Sequence, residues 1–420
     1  MTDPGVSCPG MTLPEDTLRR RLLALSLSGV VVGMVFSPVL LSVSIIATGV
    51  AGVLGSDKGL NPDWQEHFPR FLRSGLFWGL AGLYFYQLLP LPPVHDWLYF
   101  MERLRVKLPL LVLPFAWPGI AFPAAGRGGT APRDRYLLLA FLGVVVSGVL
   151  LYYAAHFREV NAMIYRGQAM PVPRGNHIRF SLLVAIGATA GLDGWFRYRS
   201  RWLLIGAAAL FVALHVMAVR SGLFTAYAGW LCVAGGWAFR RRNYRVAAIG
   251  VAGLVILPVA AYLLLPSFST KFDYMRYELL HRDPGQNGPE YSDEGRLSSI
   301  RLGLEVWRDH PVIGVGPGNL RAVMDSVYAE RLPGIPGKRP HNQFVTALAG
   351  GGAVGFLVTA ACFAALLFGG GRWRDPLFLG VFAILTLSCL VENTLETSVG
   401  ATLFPFFLLL YGYPPYRKPG

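Results

Sequence analysis

The chain has 420 residues, 53% of them hydrophobic and 15% charged, with a mean hydropathy of +0.45; water-soluble globular domains carry nearer a quarter of charged residues. Its formal charge of +14 falls mostly in short runs between apolar stretches, so it reads as an orientation signal facing anionic headgroups and not as a nucleic-acid surface. Of four cysteines, Cys232, Cys362 and Cys389 lie inside apolar stretches and Cys8 in a polar N-terminus, which excludes a disulfide framework or a zinc site.

Residues 1–21 are polar and end on Arg19, Arg20 and Arg21. No small-residue cleavage site precedes the next apolar segment, so the run from Leu22 reads as an uncleaved first transmembrane helix. Runs long enough for a hydrocarbon core of ~30 Å are predicted at 22–36, 39–55, 74–91, 108–124, 136–155, 180–196, 202–219, 222–239, 247–265, 343–369, 376–392 and 398–412. The expected fold is all-α and polytopic, with about twelve spans. A membrane domain of nine helices (22–265) is followed by one long polar loop (266–342), three more helices (343–412) and a tail (413–420).

An even number of spans puts both termini on one side, and short basic runs from Arg19–Arg21 to Arg417 and Lys418 mark that side as cytoplasmic. Two outward segments break the pattern: Arg103, Arg105 and Lys107 in one, Arg158, Arg166, Arg174 and Arg179 in the other. Basic residues placed against the rule suggest an outward-facing anionic partner, with Arg105 and Lys107 as an outlying part of a phosphate site; a miscounted span would also produce them.

Within the long loop, Leu297, Ile300, Leu304 and Trp307 recur at helical spacing, as do Leu320, Val323, Met324, Val327 and Tyr328. Two amphipathic helices are expected, joined by GVGPGN (Gly314 to Asn319). That stretch mimics half of a phosphate-binding loop, but no strand precedes it, so it reads as a turn.

Three residues stand out chemically. Arg220 is held at the outer boundary between two apolar runs, either as a snorkelling anchor or as an anion ligand. Arg296 opens a loop helix after Asp293 and Glu294, where a salt bridge and phosphate binding both remain open. His341 sits in KRPHNQF at the mouth of a span, beside Lys338 and Arg339, which disfavour its protonation; it is a polar surface residue or a neutral base. Arg301, Glu305 and Arg308 read as a self-paired face. No histidine pair at i and i+4 and no HExxH is present, so no catalytic metal is expected.

These features resemble the O-antigen ligase family of polytopic bacterial glycosyltransferases. The likeness rests on Arg-Ser-Gly (Arg220 to Gly222) at an outer boundary, an Arg followed by a tryptophan-bearing helix, HPVIGVGPGNL (His310 to Leu320), and PHNQF (Pro340 to Phe344) at a span start. One departure is Val219, where such motifs often carry a small hydroxyl residue. The resemblance implies a GT-C-like fold in the bacterial inner membrane, with the loop and active site facing the periplasm. It implies transfer of a glycan from undecaprenyl pyrophosphate to lipid A-core without a cofactor; polymerases and protein O-oligosaccharyltransferases use the same donor. Arg220 and Arg296 would bind pyrophosphate, and His341 would orient or deprotonate the acceptor hydroxyl. Arg105, Lys107, Arg301, Arg339 and Asn342 are the further substrate-binding candidates. Twelve spans also suit a transporter, but the unusual charges cluster at one membrane face and the two halves do not resemble each other.

Overall fold

The computed structural model describes residues 15–55, 59–88, 92–120, 131–166, 172–173, 176–280 and 293–413. Cys8, Lys58, Arg127, Arg174, Arg417 and Lys418, with most of the terminal segments, lie outside the described residues. Among those described there are eighteen α-helices and no strand beyond one isolated bridge between Leu54 and Leu60.

Helices α1 (Glu15–Phe36) and α2 (Pro38–Val53) form a tight hairpin. Ser37 caps α2 by accepting from the Leu40 N–H, and Pro38 occupies a first-turn position where no N–H is missed. Then come α3 (Pro62–Phe71), α4 (Gly75–Phe85), α5 (Trp97–Lys107), α6 (Pro109–Ile120), α7 (Ala131–Ala155) and α8 (Phe157–Tyr165). Helices α9 (His177–Tyr198), α10 (Arg201–Met217), α11 (Arg220–Arg241) and α12 (Tyr244–Leu264) follow. The long loop contributes α13 (Pro266–Leu280), α14 (Asp293–Asp309) and α15 (Leu320–Arg331), and α16 (Gln343–Phe368), α17 (Pro376–Val391) and α18 (Ser398–Gly412) complete the chain.

Each of the twelve apolar runs falls on a helix. Among the described residues three helices are long and apolar enough to cross a membrane: Leu137–Ala155 within α7, α11 and α16. The runs expected at 74–91 and 108–124 are described only as far as Leu88 and Ile120. Helices α4 and α6 have 11 and 12 residues, about half of a ~30 Å core at ~1.5 Å per residue.

Helix α18 is buried at every position from Val399 to Gly412, as expected of a helix apolar all round. It is the central strut, packed by α4, α5, α6 and α17, while α11 lies between α9 and α17. A wholly apolar cavity of about 460 Å³ opens between α9, α10, α11 and α12, lined by Trp195, Phe211, Tyr227 and Trp230 among others. At one end of the bundle the basic runs tie helix ends together. Arg197 donates to Asp193 and Asp375, and Arg241 to the Phe196 carbonyl. The other end carries α13, α14 and α15.

The Gly-rich turn is more than a connection between loop helices. Helix α16 breaks at Gly352, whose φ of 60° suits glycine. The loop repairs the break: Val315 and Gly316 N–H groups donate to the Ala349 and Gly350 carbonyls, and Ala353 and Val354 N–H groups donate to the Pro311 and Val312 carbonyls. Backbone lies on backbone, and a Cβ on Gly314 would stand 2.5 Å from Gly351 N. Asn319 closes the joint, accepting from the His95 N–H and donating to the Pro93 and Val315 carbonyls. HPVIGVGPGN is thus a splice between the loop and a broken helix.

Helix α14 differs from its expected face. Leu297 is exposed, and the buried positions are Ser299, Leu302, Gly303 and Val306. Small residues win here because α14 lies against Pro340: a Cβ on Gly303 would meet Pro340 Cγ at 2.6 Å. Helix α15 buries Leu320, Met324 and Tyr328 as its spacing predicts. These two faces and Ala349 of α16 form one small apolar core, which rigidly seats the loop beside His341.

Candidate functional site

The segment joining Pro340 to α16 fixes the first residue of the site. Asn342 caps α16, its Oδ1 accepting from the Phe344 and Val345 N–H groups, while its Nδ2 donates to the Leu390 carbonyl. Both ends of that amide are therefore engaged in holding the backbone next to His341.

Ser299 reaches His341 from α14 and is fully buried. Its Oγ donates to the Arg296 carbonyl at 2.7 Å, accepts from the His341 backbone N–H at 3.0 Å, and lies 3.0 Å from His341 Nδ1. A hydroxyl has one proton and two acceptor lone pairs. With the proton on the Arg296 carbonyl, Nδ1 must be the donor, which leaves the Nε2 lone pair as the basic atom of a neutral ring. Burial, then Arg296, Lys338, Arg179 and Arg339, push the imidazole down to about 4.

One turn earlier on α14, Arg296 Nη2 donates to Glu392 Oε1 at 2.6 Å. Glu392 ends α17 and is buried; burial raises its carboxyl above the usual range against the pull of Arg296 and Arg179. Arg179, in the first turn of α9, is 4% exposed, with Nε donating to Thr397 Oγ1 at 3.2 Å. Arg220 begins α11 after a two-residue turn in which Ala218 takes a left-handed φ of 48°. Its side chain is exposed and faces Lys271 of α13, whose ammonium is pushed down by burial and then by Arg220. His177 couples electrostatically to Lys271, Arg296 and Arg179, joining Arg220's surroundings to those of His341.

The other candidates lie elsewhere. Lys107 is buried and donates to Glu396 at 2.6 Å, and Arg339 pairs with the other oxygen of the same carboxylate at 3.0 Å. Gln343 also donates to Glu396, and Arg103 to its backbone carbonyl. Burial alone would raise the Glu396 carboxyl, but Lys107 and then Arg339 outweigh it and hold it down to about 2. In this structure Lys107 is thus engaged by Glu396. Arg105 is exposed on α5, and Arg301 is exposed on α14 beside Glu305 at 3.6 Å.

The structure links Arg296 to His341 through Ser299, a residue that sequence reasoning left out. Arg179 carried a signal, as one of the basic residues expected on the outward side against the charge rule, but that signal did not separate it from Arg158 and Arg166. Among the described residues no group of three His, Cys, Asp or Glu side chains converges on a common point.

An all-helical, membrane-associated bundle with a helical cap seated on one end, and a cluster of arginines and a neutral histidine beneath that cap, defines a class of interfacial membrane protein. Residues 205–360 match the family model described as O-Antigen ligase, so that stretch of the chain is similar to that family. The matched stretch holds Arg220, Arg296, the Gly-rich splice and His341; Arg179, Glu392, Lys107 and Glu396 lie outside it. A comparison with curated proteins finds no match.

Proposed function

We propose that the protein is an O-antigen ligase. It transfers O-antigen polysaccharide from undecaprenyl pyrophosphate to a core-sugar hydroxyl of lipid A-core, at the periplasmic face of the bacterial inner membrane and without a metal. The observation that carries this reading is the pairing of a neutral histidine, its tautomer set by Ser299, with Arg296 one turn away on the same helix.

In this reading the acceptor oxygen attacks C1 of the donor's first sugar. The C1–O bond to pyrophosphate breaks with its electron pair, and undecaprenyl pyrophosphate leaves. The hydroxyl proton passes to His341 Nε2. Arg296 and Arg220 hold the pyrophosphate and offset the charge that grows on the leaving oxygen. Pyrophosphate entry requires Arg296 to exchange Glu392 for phosphate. Asn342 positions His341 and does not touch substrate.

A deletion strain supplies the test. Loss of long O-chains from lipopolysaccharide with accumulation of lipid-linked polymer is the expected result, restored by the wild-type chain but not by Arg296→Lys, which keeps charge and loses the fork. Single repeats left attached to lipid A-core would instead identify a polymerase. Transfer by the purified protein should survive EDTA; loss on chelation with rescue by a divalent ion would refute the metal-free mechanism.

A further inference from the structure

Arg179 lies 117 residues or more from every motif that carries the family likeness except the Arg220 boundary, yet it is the most deeply buried cation of the site. Its Nη1 is buried and has no hydrogen-bond partner, and the Nδ1 atom of His177, on the same helical turn, is buried and unpartnered too. A buried charged N–H without an acceptor is expensive, and such groups call for a specific explanation, an absent ligand among them. The surroundings say what kind of ligand. Arg179 and Arg296 both act on Glu392, and Lys271 and Arg220 stand further along the same face. Of the two oxygens of Glu392, Oε1 is already engaged by Arg296.

We propose that Arg179 is a third anion-binding guanidinium of the donor site, its open N–H reserved for a phosphate oxygen, with Glu392 the internal anion that the pyrophosphate displaces. This rests on the proposed donor and adds a residue and an exchange step to it. A pyrophosphate offers several acceptor oxygens where Glu392 offers two, so it can satisfy Arg296 and Arg179 together. Held in the first turn of α9 and anchored through Nε to Thr397, the guanidinium is ordered before the ligand arrives, so little side-chain freedom remains to be lost on binding.

A purely structural Arg179 would only pin the segment after α17 to α9 through Thr397. Inorganic pyrophosphate separates the two roles when used with the full-length protein in detergent, read by its shift of the melting temperature and by inhibition of transfer. Arg179→Gln should weaken pyrophosphate binding roughly ten- to a hundredfold, the equivalent of one lost charged hydrogen bond, and raise donor KM more than it lowers kcat. Arg179→Lys should stay impaired and guard against misfolding of the Gln variant. Thr397→Val should weaken pyrophosphate binding clearly less than Arg179→Gln does, because it loosens the guanidinium without removing its charge. Glu392→Gln should bind pyrophosphate more tightly. Equal weakening in Arg179→Gln and Thr397→Val would overturn the proposal, as would unchanged binding in a folded Arg179→Gln protein or weaker binding in Glu392→Gln. Because the melting shift needs no glycan donor, it tests Arg179 even if the transfer reaction proves to be a different one.

Discussion

Glu392 and Glu396 sit in the same short segment between α17 and α18, each buried and each paired to a cation at 2.6 Å. Their surroundings differ in how completely they are satisfied. Glu396 takes Lys107 and Gln343 on one oxygen and Arg339 on the other, so both carboxylate oxygens are engaged, although the Nε of Arg103 beside it is buried without a partner. Around Glu392 one oxygen is taken by Arg296, the imidazole of His341 stays neutral, and Arg179 keeps an unmet N–H. A saturated buried ion cluster fixes geometry, because removing any member strands a charge. An unsaturated one is poised for a further anion. Position along the chain and residue type do not distinguish the two; the count of partners does.

The largest effect should come from the unsaturated cluster and fall on rate. His341→Ala is expected to lower turnover by ~10²- to 10⁴-fold, with donor binding near wild type in a glycan-transfer assay. Full activity in His341→Gln would reduce the histidine to a hydrogen-bonding role and remove the contrast.

Next, the saturated cluster should answer in stability. Glu396→Gln leaves Lys107 buried without its counter-charge, and breaking such a pair costs about 3–5 kcal/mol. A thermal melt in detergent should show a large drop, whereas Glu392→Gln should melt much closer to wild type. Similar losses in both would mean that both carboxylates are structural.

Acidification should separate the clusters further. His341 is held neutral down to about 4 against an ordinary 6.5, so the unfolded chain takes up the proton first and stability falls as pH drops from 6.5 towards 4. Glu396 is held down to about 2 against an ordinary 4.5; its contribution is intact above 4.5 and is lost as pH falls towards 2. Melting curves across that range should show the first loss vanish in His341→Ala and the second in Glu396→Gln. In kinetics, bound pyrophosphate offsets the neighbouring guanidinium charge, so the acid limb of kcat should lie at higher pH than that of kcat/KM.

The smallest effect is expected outside both clusters. Arg301 is exposed and only loosely paired with Glu305, so Arg301→Ala should leave transfer and melting near wild type. A marked rise in donor KM would extend the site along α14.

The amino-acid sequence by itself determined what depends on neighbouring residues. Apolar runs became helices, the α15 stripe faced inward, and Arg296, the Gly-rich motif and His341 declared themselves through local pattern. What depends on partners distant in the chain was decided only by the tertiary structure. Arg296 meets Glu392 across 96 residues, Ser299 meets His341 across 42, and Arg179 meets Thr397 across 218. Lys107 and Arg339 carry the same charge as Arg179 and Arg296, and nothing local marks them as spent on Glu396. The inward face of α14 was hidden for the same reason: Ser299 and Gly303 are weak apolar signals, and their value is that they let a helix approach Pro340 and His341 closely. A charge is visible in one residue, whereas its satisfaction belongs to the fold, because Coulomb and hydrogen-bond energies act over a few ångströms of space and not along the chain.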